Sequence, residues 1–276
     1  MNIFKFEMRQ QRSAVISWTA ALSVVCLFFM CLYPAFSNGV ASMKDLLANF
    51  PKEVLDALNI NPDAMTSVFG FFPFALTYTA LVGSIGATYF GMGIVSRENR
   101  EKTADFLLSK PVARLTAFHA KLLAALCSIA IINAVFVATS ILWCLIFAEQ
   151  KFNVATLCAM SGTLFFIQLV FAAIGVFVAV YFRRIKAALP VALVVGFAFF
   201  LLSAFDTIIN DGVGAILGKT SVDAMQYVSP TKFFDYQAIT RAGCYSARPI
   251  ITTAVWLVIL VAASAVWYKR QDVRAV

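Results

Sequence analysis

The sequence predicts an all-α membrane protein. It should have six transmembrane helices, an interfacial helix at the N-terminus, a helical cytoplasmic loop and short re-entrant outer helices before the last span. Three observations carry that expectation. Of 276 residues, 61% are hydrophobic and 13% charged, with a mean hydropathy of +0.84, whereas soluble domains run at about 45–50% apolar and about 25% charged. Six charge-free windows come next: Ser13–Met43, Ala64–Ser96, Leu122–Ala148, Phe152–Phe182, Ala187–Phe205 and Pro249–Tyr268. Each meets or nearly meets the ~20 residues that a helix needs to cross a ~30 Å hydrocarbon core. Lipid offers no partner for backbone N–H and C=O groups, so each window reads as a helix. Third, Lys and Arg are unevenly divided between the two sides that six crossings define: 15 on the side of the termini, 7 on the other. The richer side is cytoplasmic by the positive-inside rule, which places both termini inside the cell and the protein in the plasma membrane. The whole chain, 1–276, reads as one membrane domain.

The elements follow in order. Residues 1–12 are too polar to cross, and Lys5, Arg9 and Arg12 share one helical face beside Ile3, Phe4, Phe6 and Met8, which suits a short helix on the inner membrane surface. Its basic segment leads into an apolar run too long for a signal peptide and lacking a small-residue cleavage site, so it is read as retained. The spans are placed at Ala14–Phe36, Val68–Val95, Leu122–Phe147, Leu157–Phe182, Ala187–Phe205 and Ile250–Tyr268. Between the first two, Pro51 opens a short amphipathic helix with Val54, Leu55 and Leu58 on one face. In the second span Gly83, Ala87 and Gly91 recur every four residues, a smooth strip that lets two helix backbones approach in lipid. Packing inside the bundle is its expected use; self-association is the alternative. The four-residue link Arg183–Lys186 predicts that the fourth and fifth spans form an antiparallel pair. Residues 206–249 are too apolar for a solvated loop and too interrupted by charge for a crossing, so short helices buried against the outer side of the bundle are expected there.

Several chemistries have no machinery in this sequence. "GAILGKT" (Gly214–Thr220) resembles a phosphate-binding loop, but position 213 is Val where that pattern needs Gly. His119 is the single histidine, at the start of the third span, and no C-x-x-C or other metal spacing occurs. Five of six cysteines lie in or beside spans, as small core residues do; Cys244 falls in an outer loop. The spans carry no intramembrane carboxylate of the kind that ion-driven carriers bury. Their polar residues, Thr77, Tyr78, Ser84, Thr88, Asn133 and Gln168, read first as hydrogen-bonding glue between helices. Thr77, Tyr78, Asn133 and Gln168 are also the candidates for lining a substrate path. The net charge of +8 is accounted for by topology and by attraction to anionic membrane lipid, with no nucleic acid required.

One stretch departs from the rest. "SRENREKTADFLLSKPVAR", Ser96–Arg114, sets eight charges between two long hydrophobic runs. On a helix Glu98 and Lys102 form an i, i+4 pair, and Glu98, Glu101 and Asp105 form an acidic edge. Thr103 can cap a further turn that presents Phe106, Leu107 and Leu108, and Pro111 ends it. A solvated linker needs no such apolar turn, whereas a docking element does: charge sets partner choice and buried apolar contact holds it. The segment's contact residues are therefore Arg97, Glu98, Arg100, Glu101, Thr103, Asp105, Phe106, Leu107 and Leu108.

The same residues carry a family resemblance. "SRENREKTADFLLSKPVARLTAFHAKLL" is similar to the cytoplasmic loop of type-two ABC exporter permeases. There an acidic residue, a Thr, a Leu pair, Pro-Val-x-Arg and a Lys opening the next span stand as Glu98, Thr103, Leu107, Leu108, Pro111, Val112, Arg114 and Lys121 do here. Lys102 and Ala120 stand where that family often has Gly. The N-terminal segment resembles the family's elbow helix, "YVSPTKFFDYQAI" (Tyr227–Ile239) its outer segment before the last span, and "WYKRQDV" its basic tail. The resemblance implies a permease subunit, not an enzyme, with residues 96–110 as coupling region. It implies pairing with a second copy or a related permease, and docking on a cytoplasmic ATP-binding cassette subunit. Cofactors of this chain would be none, with ATP and Mg held by the partner. The cargo would be a drug, antimicrobial peptide or lipid, moved outward. A membrane scaffold or sensor binding a cytoplasmic partner through this loop, or a membrane-embedded enzyme, are the alternatives.

Overall fold

A computed structural model describes residues 3–38, 55, 67–101, 114–148, 152–182, 185, 187–208 and 229–270. They form α1 (Ile3–Asn38), α2 (Val68–Glu101), α3 (Arg114–Phe147), α4 (Val154–Tyr181), α5 (Ala188–Ile208), a 3₁₀ turn (Pro230–Lys232), α6 (Tyr236–Ala242) and α7 (Ala247–Arg270). All but the 3₁₀ turn and α6 are long and apolar enough to cross a membrane, six in number. The predicted spans sit inside these six helices, apart from single residues at the ends of the fourth and fifth. Most of the helices run further, because hydropathy marks only the part a bilayer would cover. The helix predicted around Pro51 lies, apart from Leu55, outside the described residues.

The N-terminal segment differs from its expectation in one respect. Residues 3–12 are not a separate element but the first turns of α1. No Gly or Pro interrupts the sequence there, and the segment is held to a neighbour: Ser128 Oγ of α3 donates to Gln11 Oε1 at 2.9 Å. Glu7, Gln11 and Lys121 are all buried at this level.

Contact registers give the helix directions. Gln11 meets Ser128 and Ser23 meets Thr139 (3.2 Å between hydroxyls), so α1 and α3 run parallel. Trp18 faces Tyr89, Phe29 stacks on Tyr78 at 5.0 Å and Tyr33 faces Phe71, so α1 and α2 are antiparallel. Helices α4 and α7 are parallel, with Tyr245 near Ala159 at one end and Tyr181 near Trp267 at the other. Alternation of this kind is what successive crossings require. It brings the start of α1 and the end of α7 to one end of the bundle, here the basal end. The opposite end is the distal end.

Helix α4 is the centre, packed against α2, α3, α6 and α7; α1 lies against α3 and α2. The strip of small residues on α2 explains the closest of these contacts. A methyl group at Gly91 would land on the Ala172 carbonyl oxygen of α4, and one at Gly175 of α4 would land on the Thr88 carbonyl of α2. The two backbones therefore touch, each through a glycine of its own, and internal packing is the use of the strip. In lipid no hydrophobic gain drives helices together, so contact of this density is the cohesive force.

The expected α4–α5 pair is corrected. Short as the basal link is, α5 packs chiefly on α2, with Phe199 against Phe171 (5.5 Å between centroids) as its ring contact to α4. Gly196 is the reason: a methyl there would lie 2.6 Å from Ile85 Cγ1 and 3.2 Å from Ser84 Oγ of α2. A short link constrains where a helix starts, not which neighbour it leans on.

Candidate functional site

Helix α2 continues to Glu101, so Arg97, Glu98, Arg100 and Glu101 stand on its last turns, at the basal end. Thr103, Asp105, Phe106, Leu107 and Leu108 lie outside the described residues, and α3 begins at Arg114. The two helix ends that flank this segment share an apolar cluster. Phe118, one turn into α3 and 1% exposed, packs with Met92 of α2, Val176, Ala179 and Val180 of α4 and Ala188 of α5. Its ring also stacks on Tyr268 near the end of α7, 5.0 Å between centroids. The start of α3 is thus tied to α2, α4, α5 and α7 through one buried ring.

The candidate path residues separate into two groups. Asn133 and Gln168 are brought together: Asn133 Nδ2 donates to Gln168 Oε1 at 2.7 Å and to the Ile129 carbonyl at 2.9 Å. Both are buried, and Asn133 Oδ1 has no partner among the described residues. The amide of Gln168 lies against Gly83, where a methyl would sit 2.7 Å from its Nε2. So α2, α3 and α4 meet at this amide pair. Thr77 and Tyr78 are elsewhere. Thr77 Oγ1 donates back to the Pro73 carbonyl at 2.9 Å. Tyr78 is half-buried in an aromatic group with Phe29, Phe74 and Phe200. Ser84 and Thr88 also donate to carbonyls of their own helix. These hydroxyls each donate to a carbonyl of their own helix, whereas the amide pair joins α3 to α4.

Other polar contacts were not legible beforehand. At the distal end α6 is capped by Asp235, whose carboxylate accepts from the N–H groups of Gln237 and Ala238. It ends at Gly243, whose φ of 68° is the left-handed conformation that suits a helix C-terminus. Phe234 stacks on Phe166 of α4 at 5.5 Å, and the Tyr245 hydroxyl donates to the Ala159 carbonyl at 2.7 Å. Tyr236 bonds the Thr163 hydroxyl, and burial pushes its phenol up to about 12. Burial raises the Tyr245 phenol as well. Ser229, Pro230, Phe233, Phe234, Tyr236 and Ile239 are thus buried against the bundle, as the apolar content of the region predicts, while residues 241–244 are exposed; residues 209–228, with the Gly214–Thr220 stretch, lie outside the described residues. His119 is exposed beside Phe118. Cys26 and Cys144 are buried and free, and Cys244 is free and exposed. Between α1 and α2 a crevice lined by Gln11, Ala14, Tyr89, Phe90 and Gly93 has a volume of about 10 Å³, room for one water.

Over residues 1–273 the sequence matches the family described as ABC-2 family transporter protein. No curated protein matches the chain.

Proposed function

The chain belongs to the ABC-2 family of transporter proteins, and from that premise we propose that it is the permease subunit of an exporter driven by a separate ATPase. It is a multi-pass membrane protein of a transport system. In the proposed cycle a cytoplasmic ATP-binding cassette subunit binds and hydrolyses ATP with Mg²⁺. Residues 96–110 receive its motion, and a hydrophobic or amphipathic cargo leaves the cell. Two permease copies, or one copy and a related permease, form the pathway. The basal end faces the cytoplasm, since the 15-to-7 excess of Lys and Arg belongs to the segments that attach there.

The observation that carries this reading is the family match across nearly the whole chain, joined to the position of the ionic segment. That segment joins α2 to α3 in sequence, and the start of α3 belongs to a buried cluster shared by five helices. The six spans predicted from hydropathy carry no Asp, Glu, Lys or Arg, the residues that ion-driven carriers bury along their path, which favours an external motor.

The test is co-purification. The chain is expressed in its native host with a tag on the permease, and whatever ATP-binding cassette subunit it holds is isolated with it. Retention of the ATPase and stimulation of its hydrolysis are expected. Replacing Glu98 and Glu101 by Lys should abolish both while the permease still elutes as a folded species. Unchanged retention and hydrolysis in that variant would place the docking surface elsewhere; normal operation without any ATPase would end the proposal.

A further inference from the structure

We propose that the exposed face of α1 is a binding site for one anionic glycerophospholipid, with its headgroup held by Lys5, Arg9 and Arg12. The site rests on the continuity of α1. Had residues 3–12 formed a separate helix along the membrane surface, the basic residues and the apolar span would belong to different surfaces. As one helix they join in a continuous exposed stripe that winds gradually around it. Lys5, Arg9, Arg12, Ile16, Ala20, Val24 and Phe28 follow at steps of three or four residues, and every one is exposed. Ile16, Val24 and Phe28 are 58%, 61% and 60% exposed. The upper part of the stripe offers apolar contact for an acyl chain. The lower part offers three cations.

Length places the cations at headgroup depth. Helix α1 has 36 residues, about 54 Å at ~1.5 Å per residue, against a ~30 Å hydrocarbon core and ~40–45 Å with headgroups. The apolar part from Ala14 onward fills the core, so Arg12 and Arg9 stand about 3–8 Å beyond its edge, within the headgroup layer, and Lys5, about 14 Å out, reaches back toward it along its four-carbon stem. The opposite face of those turns is closed: Glu7, the one acidic residue of α1, is buried toward the bundle, as is Gln11. The exposed stripe therefore carries charge of one sign. Two of its three cations are Arg, whose planar fork matches a phosphodiester in two-point contact. Charge complementarity selects an anionic headgroup over a zwitterionic one, and the apolar stripe selects a lipid over a soluble phosphate.

The inference stands on α1 alone and does not depend on cargo or ATPase. It is tested on the purified full chain in detergent, titrated with phosphatidylglycerol or with phosphatidylcholine of the same acyl chains, by native mass spectrometry. One phosphatidylglycerol should be retained in preference to phosphatidylcholine. The K5Q/R9Q/R12Q variant should bind it on the order of 100-fold more weakly, and Arg9→Gln alone about 5-fold, from the attraction of each basic residue near an anionic surface. The single variant decides the question should the triple one fail to fold. R241Q/R248Q, whose cations are exposed at the distal end, should bind as the parent does, and inorganic phosphate should not displace the lipid. Equal retention of both lipids, unchanged binding by the basal variants, an equal loss in R241Q/R248Q, or displacement by phosphate would each overturn the proposal.

Discussion

Replacing Gly91 with Ala tests the packing on which the bundle depends. The added methyl would meet only backbone, namely the Ala172 carbonyl oxygen, with the Ala172 carbon at 2.9 Å and Val176 N at 3.0 Å. No side chain can rotate aside. To restore ordinary contact α2 and α4 must part by roughly 1 Å or more, and a gap of that size forfeits up to about half of the dispersion well for each facing atom pair. Overpacking of this kind costs about 1–3 kcal/mol, and the absence of any soft neighbour puts Gly91→Ala near the upper figure. For a chain of this size each kcal/mol moves Tm by about 2–4 °C, so the expected fall is roughly 6–12 °C. The assay is thermal unfolding in one detergent at one scan rate, since unfolding of such proteins is read as a rate. Gly93→Ala is the internal control. It lies half a turn away with nothing within 4 Å, and should change stability by no more than about 0.5 kcal/mol apart from a helix-propensity gain. Equal midpoints for the two variants would refute the close approach of α2 and α4.

Three further outcomes are expected. Asn133→Ala and Gln168→Ala should each destabilise by about 1 kcal/mol, and a double-mutant cycle should show that their losses are not additive, which measures the amide pair as interhelical glue. Phe118→Ala should cost about 3–5 kcal/mol, read as a lowered denaturant midpoint, because its ring is buried among five helices. Tyr236 gives a pH dependence. Its folded pKa of about 12 lies above the ordinary value of 10, so the native state holds its proton more tightly. Its contribution is then fully present below pH ~10 and is lost as pH rises toward 12, by roughly 3 kcal/mol. Alkaline unfolding of Tyr236→Phe should lack that component; coincident profiles would reject it.

The six crossings were legible in the sequence because a bilayer imposes one length and one polarity on any helix that spans it. The Gly83–Ala87–Gly91 strip was legible for a similar reason, since only small residues permit backbone contact. Choice of neighbour was not. On α2, α3 and α4 apolar residues surround the helix on every side, because both lipid and core are apolar, so no stripe marks the inward face as it would in water. That is why α5 was expected on α4 and is found on α2, guided by a single glycine, Gly196. The amide pair was half legible: Asn133 and Gln168 were singled out separately, but nothing in a sequence separation of 35 residues announces that they bond. Thr77 and Tyr78 shared only their polarity with that pair. The ionic segment at 96–114 was the most informative stretch as sequence, since charge in an apolar chain is costly and therefore specific. Of its acidic edge, Glu98 and Glu101 stand on α2, and Asp105 with the apolar turn lies outside the described residues.

The reciprocal glycines of α2 and α4 have a mechanical consequence. Two helices whose main chains lie in each other's grooves cannot slide lengthwise without a carbonyl climbing over a neighbouring peptide. Helix α2, which emerges at the ionic segment, and α4, which lies at the centre, are thereby a single strut with no slack along its axis. A push along the axis of α2 would therefore be shared by α4. The parts left free to tilt or part company are the lightly covered outer helices, α1, α5 and α7.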